Sequence, residues 1–229
     1  MPDSLAHDAL RRCALFADCE PAALDGVVRQ LTRRRFRRSE TIFHQGDPGD
    51  ALHVVASGAV KIVLPSVEGG EAIIATLRAG DFFGELALLD GAPRSATAIA
   101  LEPAETLVLP RAAFRAALDA DPGLRDALLA GVAHELRRIT RHVEELHFLD
   151  LAGRLAMRLV RLAGESAPGA NEVTLPWPYT QSDLAAMIGG TRQSVNRLLA
   201  DLADRELVVI GRESLTIPDV EALRRIGER

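Results

Sequence analysis

Short apolar runs, separated by turns that contain glycine, fill most of the chain between residues 33 and 110. Each run has the length of one strand, and the residues between the runs are the Gly, Asp, Pro and Ser that favour turns. This regular spacing predicts a small antiparallel barrel or double-stranded roll. The predicted strands are residues 41–43, 52–55, 59–64, 72–77, 97–99 and 106–109, and the predicted turns are 45–49, 57–58, 68–70 and 79–81.

Helical patterns flank this region on both sides. Residues 5–31 have the apolar spacing of short helices, and Glu20-Pro21 is a predicted helix start. A longer helix is predicted from Asp121-Pro122, because apolar residues then recur at alternating steps of three and four. That seam suits a two-stranded coiled coil, but it also fits a long helix packed on its own domain. Its members are Leu129, Val132, Leu136, Ile139, Val143 and Leu146.

Two helices joined by a glycine-containing turn are predicted between residues 180 and 204. Thr180 and Asp183 form a capping-box pattern at the first helix, and Thr191 suits the cap of the second. Together they match a helix-turn-helix, although a plain helical hairpin with a solvated face has the same pattern. A β-hairpin wing is predicted over residues 207–217. The residues predicted to face inward are Ala185, Val195 and Leu198, and those predicted to face outward are Arg192, Gln193, Asn196 and Arg197.

Residues 83–97, with the sequence FGELALLDGAPRSAT, contain side chains that suit a sugar phosphate. Arg94 offers a planar set of donors to phosphate oxygens and stays charged at physiological pH. Glu85 can accept a hydrogen bond from a ribose hydroxyl, and Gly84 lets the backbone approach a ligand closely. The turn and helix that follow Gly84 present backbone N–H groups to an anion. The alternative is a Gly/Pro turn with a surface ion pair.

This segment resembles the phosphate-binding cassette of cyclic-nucleotide-binding domains, since it contains both Glu85 and Arg94. From about residue 15 to its end, the chain resembles transcription regulators of the catabolite activator/fumarate–nitrate regulator (CRP/FNR) superfamily. The resemblance implies an α+β fold with an antiparallel, jelly-roll-like β-roll, a long dimerisation helix and a C-terminal winged helix-turn-helix. The implied domains are a nucleotide-binding domain (1–120), the dimerisation helix (121–149) and a DNA-binding domain (150–229), whose first helix Asp150 would cap.

The ligand that this resemblance implies is cAMP, with cGMP as the alternative. In the cAMP-responsive activator, two consecutive hydroxyl residues, one from each subunit, hold the purine. Ile139 and Thr140 occupy the matching positions here, so one hydroxyl is retained. Ser95 could contact the phosphate or, with the base in the other orientation, a guanine amino group. The implied nucleotide-binding residues are Ile74, Phe83, Gly84, Glu85, Leu86, Arg94, Ser95, Ile139 and Thr140.

The same resemblance implies a homodimer, formed through residues 122–149, that binds a palindromic double-stranded DNA operator and contacts RNA polymerase. Arg192 begins the second helix of the motif, where the family has an arginine that contacts guanine. Gln193 stands where relatives often have glutamate, which changes the base expected there. The alternative is a nucleotide-binding regulatory module without a DNA role. The implied DNA-binding residues are Gln181, Thr191, Arg192, Gln193, Ser194, Asn196 and Arg197.

Composition and charge argue against several other classes. Cys13 and Cys19 are too few within one chain for the four-cysteine iron–sulfur cluster of oxygen-sensing relatives, so both are expected to be buried apolar residues. Neither metal-ligand spacing nor a nucleophile–base set is present, so we expect no metal and no enzyme activity. Without a membrane-length apolar run or a secretory signal, the expected location is cytoplasmic, with no membrane partner. Residues 151–229 carry no net charge in a chain of −5, so DNA contacts must depend on a few placed arginines.

Overall fold

The computed structural model of the protein describes residues 4–66 and 70–227, with Ser4 described by its backbone alone. Residues 68 and 69 of one predicted turn lie outside the described residues. The chain divides into two compact units, Met1–Arg137 and Arg138–Arg229. The first unit contains mainly β-structure, and the second is mainly helical.

The described part of the N-terminal unit contains eight strands: β1 (Thr32–Phe36), β2 (Thr41–Phe43), β3 (Ala51–Ser57), β4 (Ala59–Pro65), β5 (Glu71–Arg78), β6 (Phe82–Phe83), β7 (Thr97–Ala100) and β8 (Ala104–Pro110). They form two four-stranded sheets, with orders β1-β8-β3-β6 and β2-β7-β4-β5. Every pairing is antiparallel. The predicted antiparallel roll is therefore confirmed, and all six predicted strands are present.

The spacing of apolar runs does not predict β1 or β6. Strand β1 contains three consecutive arginines, and four of its five side chains are exposed, so no apolar alternation marks it. It is a strand because its backbone pairs with β8, from Thr32 opposite Val108 to Phe36 opposite Ala104. Strand β6 is only two residues long and pairs with β3. In both cases the strand is defined by a backbone partner that is distant in the sequence. A local pattern of residues carries no information about such a partner.

Two apolar clusters fill the N-terminal unit. The first lies between the sheets and includes Val55 and Phe83 from one sheet with Val60 and Ala98 from the other. The second lies between the β1-β8-β3-β6 sheet and the surrounding helices, and it contains both cysteines. Cys13 and Cys19 are fully or almost fully buried, as predicted, and burial raises the pKa of each thiol to about 11. Both side chains are therefore protonated core residues at neutral pH.

The helices of the N-terminal unit are α1 (Ser4–Arg12), α2 (Pro21–Val28), α3 (Glu85–Asp90) and α4 (Arg111–Ala120). The short helices predicted for residues 5–31 are present as α1 and α2, and α2 begins at Pro21 with Glu20 as its cap residue. Helix α5 (Pro122–Phe148) begins in this unit and continues into the next, as the long apolar seam predicts. Five residues of that seam are exposed in the single chain, namely Leu129, Leu136, Ile139, Val143 and Leu146.

The C-terminal unit continues with α6 (Leu151–Ser166), β9 (Val173–Pro176), α7 (Gln181–Ile188), α8 (Arg192–Asp204), β10 (Val209–Ile210), β11 (Ser214–Ile217) and α9 (Val220–Gly227). The predicted hairpin corresponds to β10 and β11, and β9 extends it to a three-stranded antiparallel sheet of order β10-β11-β9. Asp150 caps α6, because its carboxylate accepts a 2.7 Å hydrogen bond from the Gly153 amide. The unit has the winged helix-turn-helix fold.

One prediction about the inner face of α8 is wrong. Val195 and Ala185 are buried as expected, but Leu198 is only half-buried. The buried leucines are Leu199 and Leu202, which follow Val195 at intervals of four and seven residues. These intervals place all three side chains on one helical face, whereas an interval of three alone turns Leu198 toward its edge.

Candidate nucleotide-binding site and DNA-binding surface

The candidate phosphate site is built from the segment between β6 and β7 together with the loop that precedes β3. Gly84 precedes α3 with a left-handed backbone, φ 84°, which favours glycine. Two backbone hydrogen bonds of 2.9 Å join the segments, because the Gly46 amide donates to the Arg94 carbonyl and the Arg94 amide donates to the Asp47 carbonyl. These two bonds fix the backbone of Arg94 independently of its side chain.

Backbone carbonyls hold the Arg94 guanidinium. Nη1 donates to the Gly84 oxygen at 2.7 Å, and Nη2 donates to the Ala51 oxygen at 2.8 Å. A Cβ atom at Gly84 would lie 2.3 Å from Arg94 Nη1, so any larger residue there would displace the guanidinium. The sequence predicts that Gly84 makes room for a ligand. In the structure, the space of its missing side chain is taken by Arg94 itself.

The charge of this guanidinium is weakly compensated by the protein. Arg94 is only 4% exposed, and burial lowers its pKa from the usual value, although Asp50 and Glu85 oppose that shift. Asp50 Oδ1 lies 3.6 Å from Nη2, but the Asp50 side chain is 89% exposed, so water screens it. Among the described residues, Nε of Arg94 has no hydrogen-bond partner. A buried guanidinium that keeps its charge favours an anionic oxygen ligand, which a phosphate supplies.

Glu85 begins α3 and is half-buried. Burial raises the pKa of its carboxyl group, a backbone hydrogen bond opposes the shift, and the nearby Glu135 carboxylate adds to it. Arg94 lowers the pKa again, but less strongly. A carboxyl group in this setting can hydrogen-bond a sugar hydroxyl in either protonation state.

The other predicted ligand residues occupy different environments. Phe83 is buried on β6, and Ile74 is half-buried on β5. Leu86 and Ser95 are exposed beside Glu85 and Arg94 in the cassette segment. Ile139 and Thr140 are exposed on the part of α5 that belongs to the C-terminal unit. The N-terminal unit therefore brings together Phe83, Gly84, Glu85, Leu86, Arg94 and Ser95 within one segment.

Three aromatic rings beside Arg94 are not predicted as a group by any sequence motif. Phe43 on β2, His53 on β3 and Phe83 on β6 have ring centroids 5.0–5.7 Å apart. The Arg94 Cζ atom lies 4.3 Å from the centroid of the Phe43 ring, which is cation–π geometry. Each ring comes from a different strand, so only the folded sheets bring them together.

Two further arginines hold the cassette from α4. Arg111 donates to the Gly49 carbonyl, at 3.2 Å from Nε, and to the Ala87 carbonyl, at 2.8 Å from Nη2. Arg115 donates to the Leu88 carbonyl at 3.2 Å. Ala87 and Leu88 lie in α3, where carbonyls near the helix end favour cationic donors. These contacts fix the cassette helix to α4, and no local sequence signal indicates them.

Lowering the pH is expected to destabilise the protein through His53. Burial, with a smaller effect of Arg94 and Arg34, lowers the pKa of His53 from 6.5 to about 4. The unfolded chain therefore binds a proton near pH 6.5 that the folded chain does not bind until about pH 4, so stability falls as the pH drops through this interval. From pH 7 to pH 5 the loss attributable to His53 should be about 2 kcal/mol.

Denaturant unfolding of the wild type and of His53→Phe at both pH values tests this expectation. Phenylalanine retains a ring against Phe83, which lies 5.0 Å from the His53 ring in a stacked arrangement, but it does not titrate. His53→Phe should therefore lose less stability than the wild type over the same pH interval. An equal loss in the two proteins would show that His53 is not the responsible group.

The helix-turn-helix is held by caps that match the sequence prediction. The Thr180 hydroxyl accepts from the Asp183 amide at 3.1 Å, and the Asp183 carboxylate accepts from the Thr180 amide at 2.9 Å. Thr191 caps α8 by accepting from the Ser194 amide at 3.1 Å, and its hydroxyl lies 2.9 Å from that of Ser194. The hydroxyls of Thr191 and Ser194 thus serve the helix start.

The exposed face of α8 has the composition of a DNA-contacting surface. Arg192, Gln193, Asn196 and Arg197 are all exposed. Gln181 at the start of α7 is also exposed, and its Oε1 lies 3.5 Å from Nε of Arg192. These side chains carry the donors and acceptors that contact base edges and phosphates in the major groove.

Two negative findings apply to the described residues. Within residues 4–66 and 70–227, no helix is both long enough and apolar enough to cross a membrane. Across the same part of the chain, no cluster of three or more His, Cys, Asp or Glu side chains is placed to bind a metal ion.

Comparison with known proteins assigns a family domain to each of the two regions. Residues 33–121 match the cyclic nucleotide-binding domain, and residues 153–226 match the Crp-like helix-turn-helix domain. The first match contains the Arg94 site, and the second contains the exposed face of α8. A chain with both domains is a DNA-binding transcription regulator with a cyclic-nucleotide-binding domain.

Individual relatives specify the family. A CRP-like cAMP-activated global transcriptional regulator of Mycobacterium tuberculosis is 34% identical, over 95% of this chain and 98% of that protein. A global nitrogen regulator of a Nostoc species is 31% identical, over 89% and 96%. The solved structure of FixK2 from Bradyrhizobium japonicum has a TM-score of 0.77 at 23% identity, over 86% and 96% of the two chains, and shows the shared fold alone. The protein belongs to the CRP/FNR family of transcription regulators. The two relatives named above are regulators and not enzymes.

Proposed function

We propose that the protein is a homodimeric transcription regulator whose DNA affinity is switched by a cyclic nucleotide, with cAMP as the preferred ligand. The observation that carries the proposal is the buried Arg94 guanidinium, which the carbonyls of Gly84 and Ala51 hold within the matched cyclic nucleotide-binding domain. A cyclic phosphate would supply a negative charge beside this buried cation. The Mycobacterium tuberculosis relative, which is described as cAMP-activated, supports the choice of adenine.

The proposed ligand contacts follow from the chemistry of the cassette. The phosphate binds Arg94, whose guanidinium takes the space left by the missing side chain of Gly84, and the ribose hydroxyl binds Glu85. Ile74, Phe83, Leu86 and Ser95 complete the pocket within residues 1–120, which form the proposed nucleotide-binding domain. We assign the purine contact to Ile139 and Thr140, with Thr140 contributed by the second subunit. The exposed Ser95 hydroxyl makes cGMP the alternative ligand.

Dimerisation is assigned to residues 121–149. Support comes from the exposed side chains of the α5 seam, which a second copy of the helix would cover. The rest of the α5 surface is rich in charged residues, whereas the seam is apolar. Burial of the seam in a dimer would explain this difference. A nucleotide can then act as a switch only if it binds the two arrangements of the dimer with different affinities.

DNA binding is assigned to residues 150–229 through Gln181, Thr191, Ser194 and the exposed face of α8. Two such domains related by a two-fold axis would contact a palindromic operator with half-sites about one helical turn apart. The C-terminal unit has no net basic charge to attract DNA broadly, so Arg192 and Arg197 are the proposed principal contacts. RNA polymerase is the proposed protein partner of the DNA-bound dimer.

The proposal is tested by calorimetric titration of the full chain with cAMP and with cGMP, combined with measurement of operator affinity at each saturating nucleotide. We expect cAMP to bind more tightly and to raise the affinity for an operator selected from genomic fragments. Tighter binding of cGMP, with the same effect on DNA, would reassign the ligand within the proposed mechanism. Binding of neither nucleotide, or nucleotide binding without any change in DNA affinity, would contradict the proposal.

Replacement of Gln193 by glutamate is expected to change the preferred operator. Gln193 is exposed on the first turn of α8, where its amide pairs best with adenine, whereas a carboxylate accepts a hydrogen bond from cytosine. Selection of binding sites from random DNA should give a Gln193→Glu consensus that differs from the wild type at one base pair per half-site and favours cytosine there. Discrimination at that pair should be worth about 1–3 kcal/mol.

The matched comparison is Arg197→Ala, which removes a neighbouring exposed side chain. It should weaken binding and relax the preference at a different base pair, because an arginine contacts guanine through two hydrogen bonds. If the wild type and Gln193→Glu select the same consensus, Gln193 does not contact a base.

A further inference from the structure

We infer that Phe43 is a positioning residue for the nucleotide, because its ring fixes the Arg94 guanidinium from one face. The inference rests on the proposed function and adds to it a residue outside the cassette. Phe43 lies on β2, 51 positions before Arg94 in the sequence, and belongs to the sheet opposite the one that contains Phe83. Nothing in the local sequence around Phe43 distinguishes it from an ordinary strand residue.

The carbonyl contacts alone restrain one motion of the guanidinium only weakly, namely its tilt out of its own plane. Hydrogen bonds from Nη1 to Gly84 and from Nη2 to Ala51 lie along the plane of the group and fix its position within that plane. They resist tilting out of the plane only weakly. The Phe43 ring, 4.3 Å from Cζ, supplies the missing restraint and keeps water from that face.

Phe43 is itself held by rings from the other sheet. Its centroid lies 5.7 Å from both His53 and Phe83, at interplanar angles of 58° and 38°, and these two rings stack on each other at 5.0 Å. His53 also lies 3.3 Å from the Thr106 hydroxyl, so its ring orientation is constrained. The Arg94 guanidinium therefore packs against an aromatic ring that is itself held in place. A binding group is preorganised when the residues around it are fixed in this way.

The charges around the cluster are consistent with this role. The positive charges of Arg94 and Arg34 lower the pKa of His53, and the negative charge of Asp50 opposes them. His53 is neutral near pH 7 because burial lowers its pKa to about 4, so the ring adds no positive charge beside Arg94. Of the two rings that contact Phe43, neither therefore carries a charge that would compete with the Arg94 guanidinium.

Preorganisation predicts a specific effect on affinity. Without the Phe43 ring, the guanidinium can tilt and take up water, and nucleotide binding must restore its orientation at a cost. A cation–π contact at a site excluded from water corresponds to a change in affinity on the order of 10-fold. We expect Phe43→Leu to weaken cAMP binding by about that factor, while Phe43→Tyr, which retains an aromatic ring, stays within about 3-fold of the wild type.

The experiment is calorimetric titration of full-length variants with cAMP and cGMP, accompanied by thermal unfolding. Phe36→Leu is the matched control, because Phe36 packs half-buried against the same core cluster and the same substitution is made. Both leucine variants should lose stability, but only Phe43→Leu should lose affinity. Phenylalanines with increasing ring fluorination, incorporated at position 43, should weaken binding stepwise, since fluorine removes the negative face of the ring without changing the fold.

Several outcomes would overturn the inference. One is that Phe36→Leu and Phe43→Leu lose affinity equally, and another is that fluorinated rings bind nucleotide as tightly as phenylalanine. If Phe43→Leu does not fold, the tyrosine and fluorinated variants still decide the matter. A wild type that binds neither nucleotide would overturn the proposed function as well. A wild type that binds nucleotide and loses it in Arg94→Ala, but not in any Phe43 variant, would overturn this inference alone.

Discussion

Arg94→Ala should nearly abolish nucleotide binding, with a loss on the order of 2–5 kcal/mol by analogy with buried charge pairs. The guanidinium is 4% exposed, so a phosphate bound beside an alanine would lose its counter-charge in a place that water reaches poorly. Arg94→Lys should lose almost as much. A lysine keeps the charge, but its single ammonium cannot reproduce the planar contacts to Gly84, Ala51 and a phosphate together.

The structure adds an expectation about stability for the same variant. Removal of the guanidinium leaves the carbonyls of Gly84 and Ala51 without these donors, which costs about 1–3 kcal/mol for each carbonyl that stays buried and unpaired. Loss of a buried charge that is weakly compensated offsets part of that cost. The variant should therefore remain folded at room temperature with a lower unfolding midpoint.

Calorimetry with cAMP and cGMP, together with denaturant unfolding, separates the two effects. Arg35→Ala is the control, because Arg35 is an exposed arginine of the same unit that pairs with Glu105 at 2.7 Å on the surface. It should change neither affinity nor stability by much. Unchanged nucleotide affinity in a folded Arg94→Ala variant would remove the assignment of the phosphate site.

The second large effect is expected at the dimer seam. Leu136→Asp combined with Val143→Asp should convert the protein to monomers that no longer bind an operator. These side chains are 65% and 49% exposed in the single chain, so the substitutions should leave its fold nearly unchanged. In a paired seam, each aspartate would be buried against apolar side chains, and an unpaired buried charge costs several kcal/mol. A monomer contacts only one half-site, so its operator affinity falls steeply.

Sedimentation of the wild type and the double variant, with and without cAMP, measures this effect. The matched control is Arg137→Asp combined with Glu144→Asp, which places two aspartates at exposed positions one residue further along the same helix. The control should remain dimeric. A monomeric wild type under both conditions, or a double variant that stays dimeric, would remove residues 122–149 from the proposed interface.

Local sequence was sufficient for the elements whose cause is local. Turn residues at regular intervals predicted six of the strands, because glycine and proline limit where a strand can continue. The caps at Asp150, Thr180 and Thr191 were also predictable from local sequence, because each side chain accepts a hydrogen bond from an amide three residues away. The cassette residues were recognisable because Gly84, Glu85 and Arg94 lie within one short segment.

Tertiary structure alone decided the contacts between residues far apart in the chain. Strand β1 exists through its pairing with β8, although its own residues carry no strand pattern. Arg94 is held by the carbonyl of Ala51, 43 residues away, and by the ring of Phe43, on a strand of the opposite sheet. Such partners depend on how the two sheets pack, which no local periodicity records, and so the sequence indicated a phosphate-binding arginine while the fold determined what holds it in place.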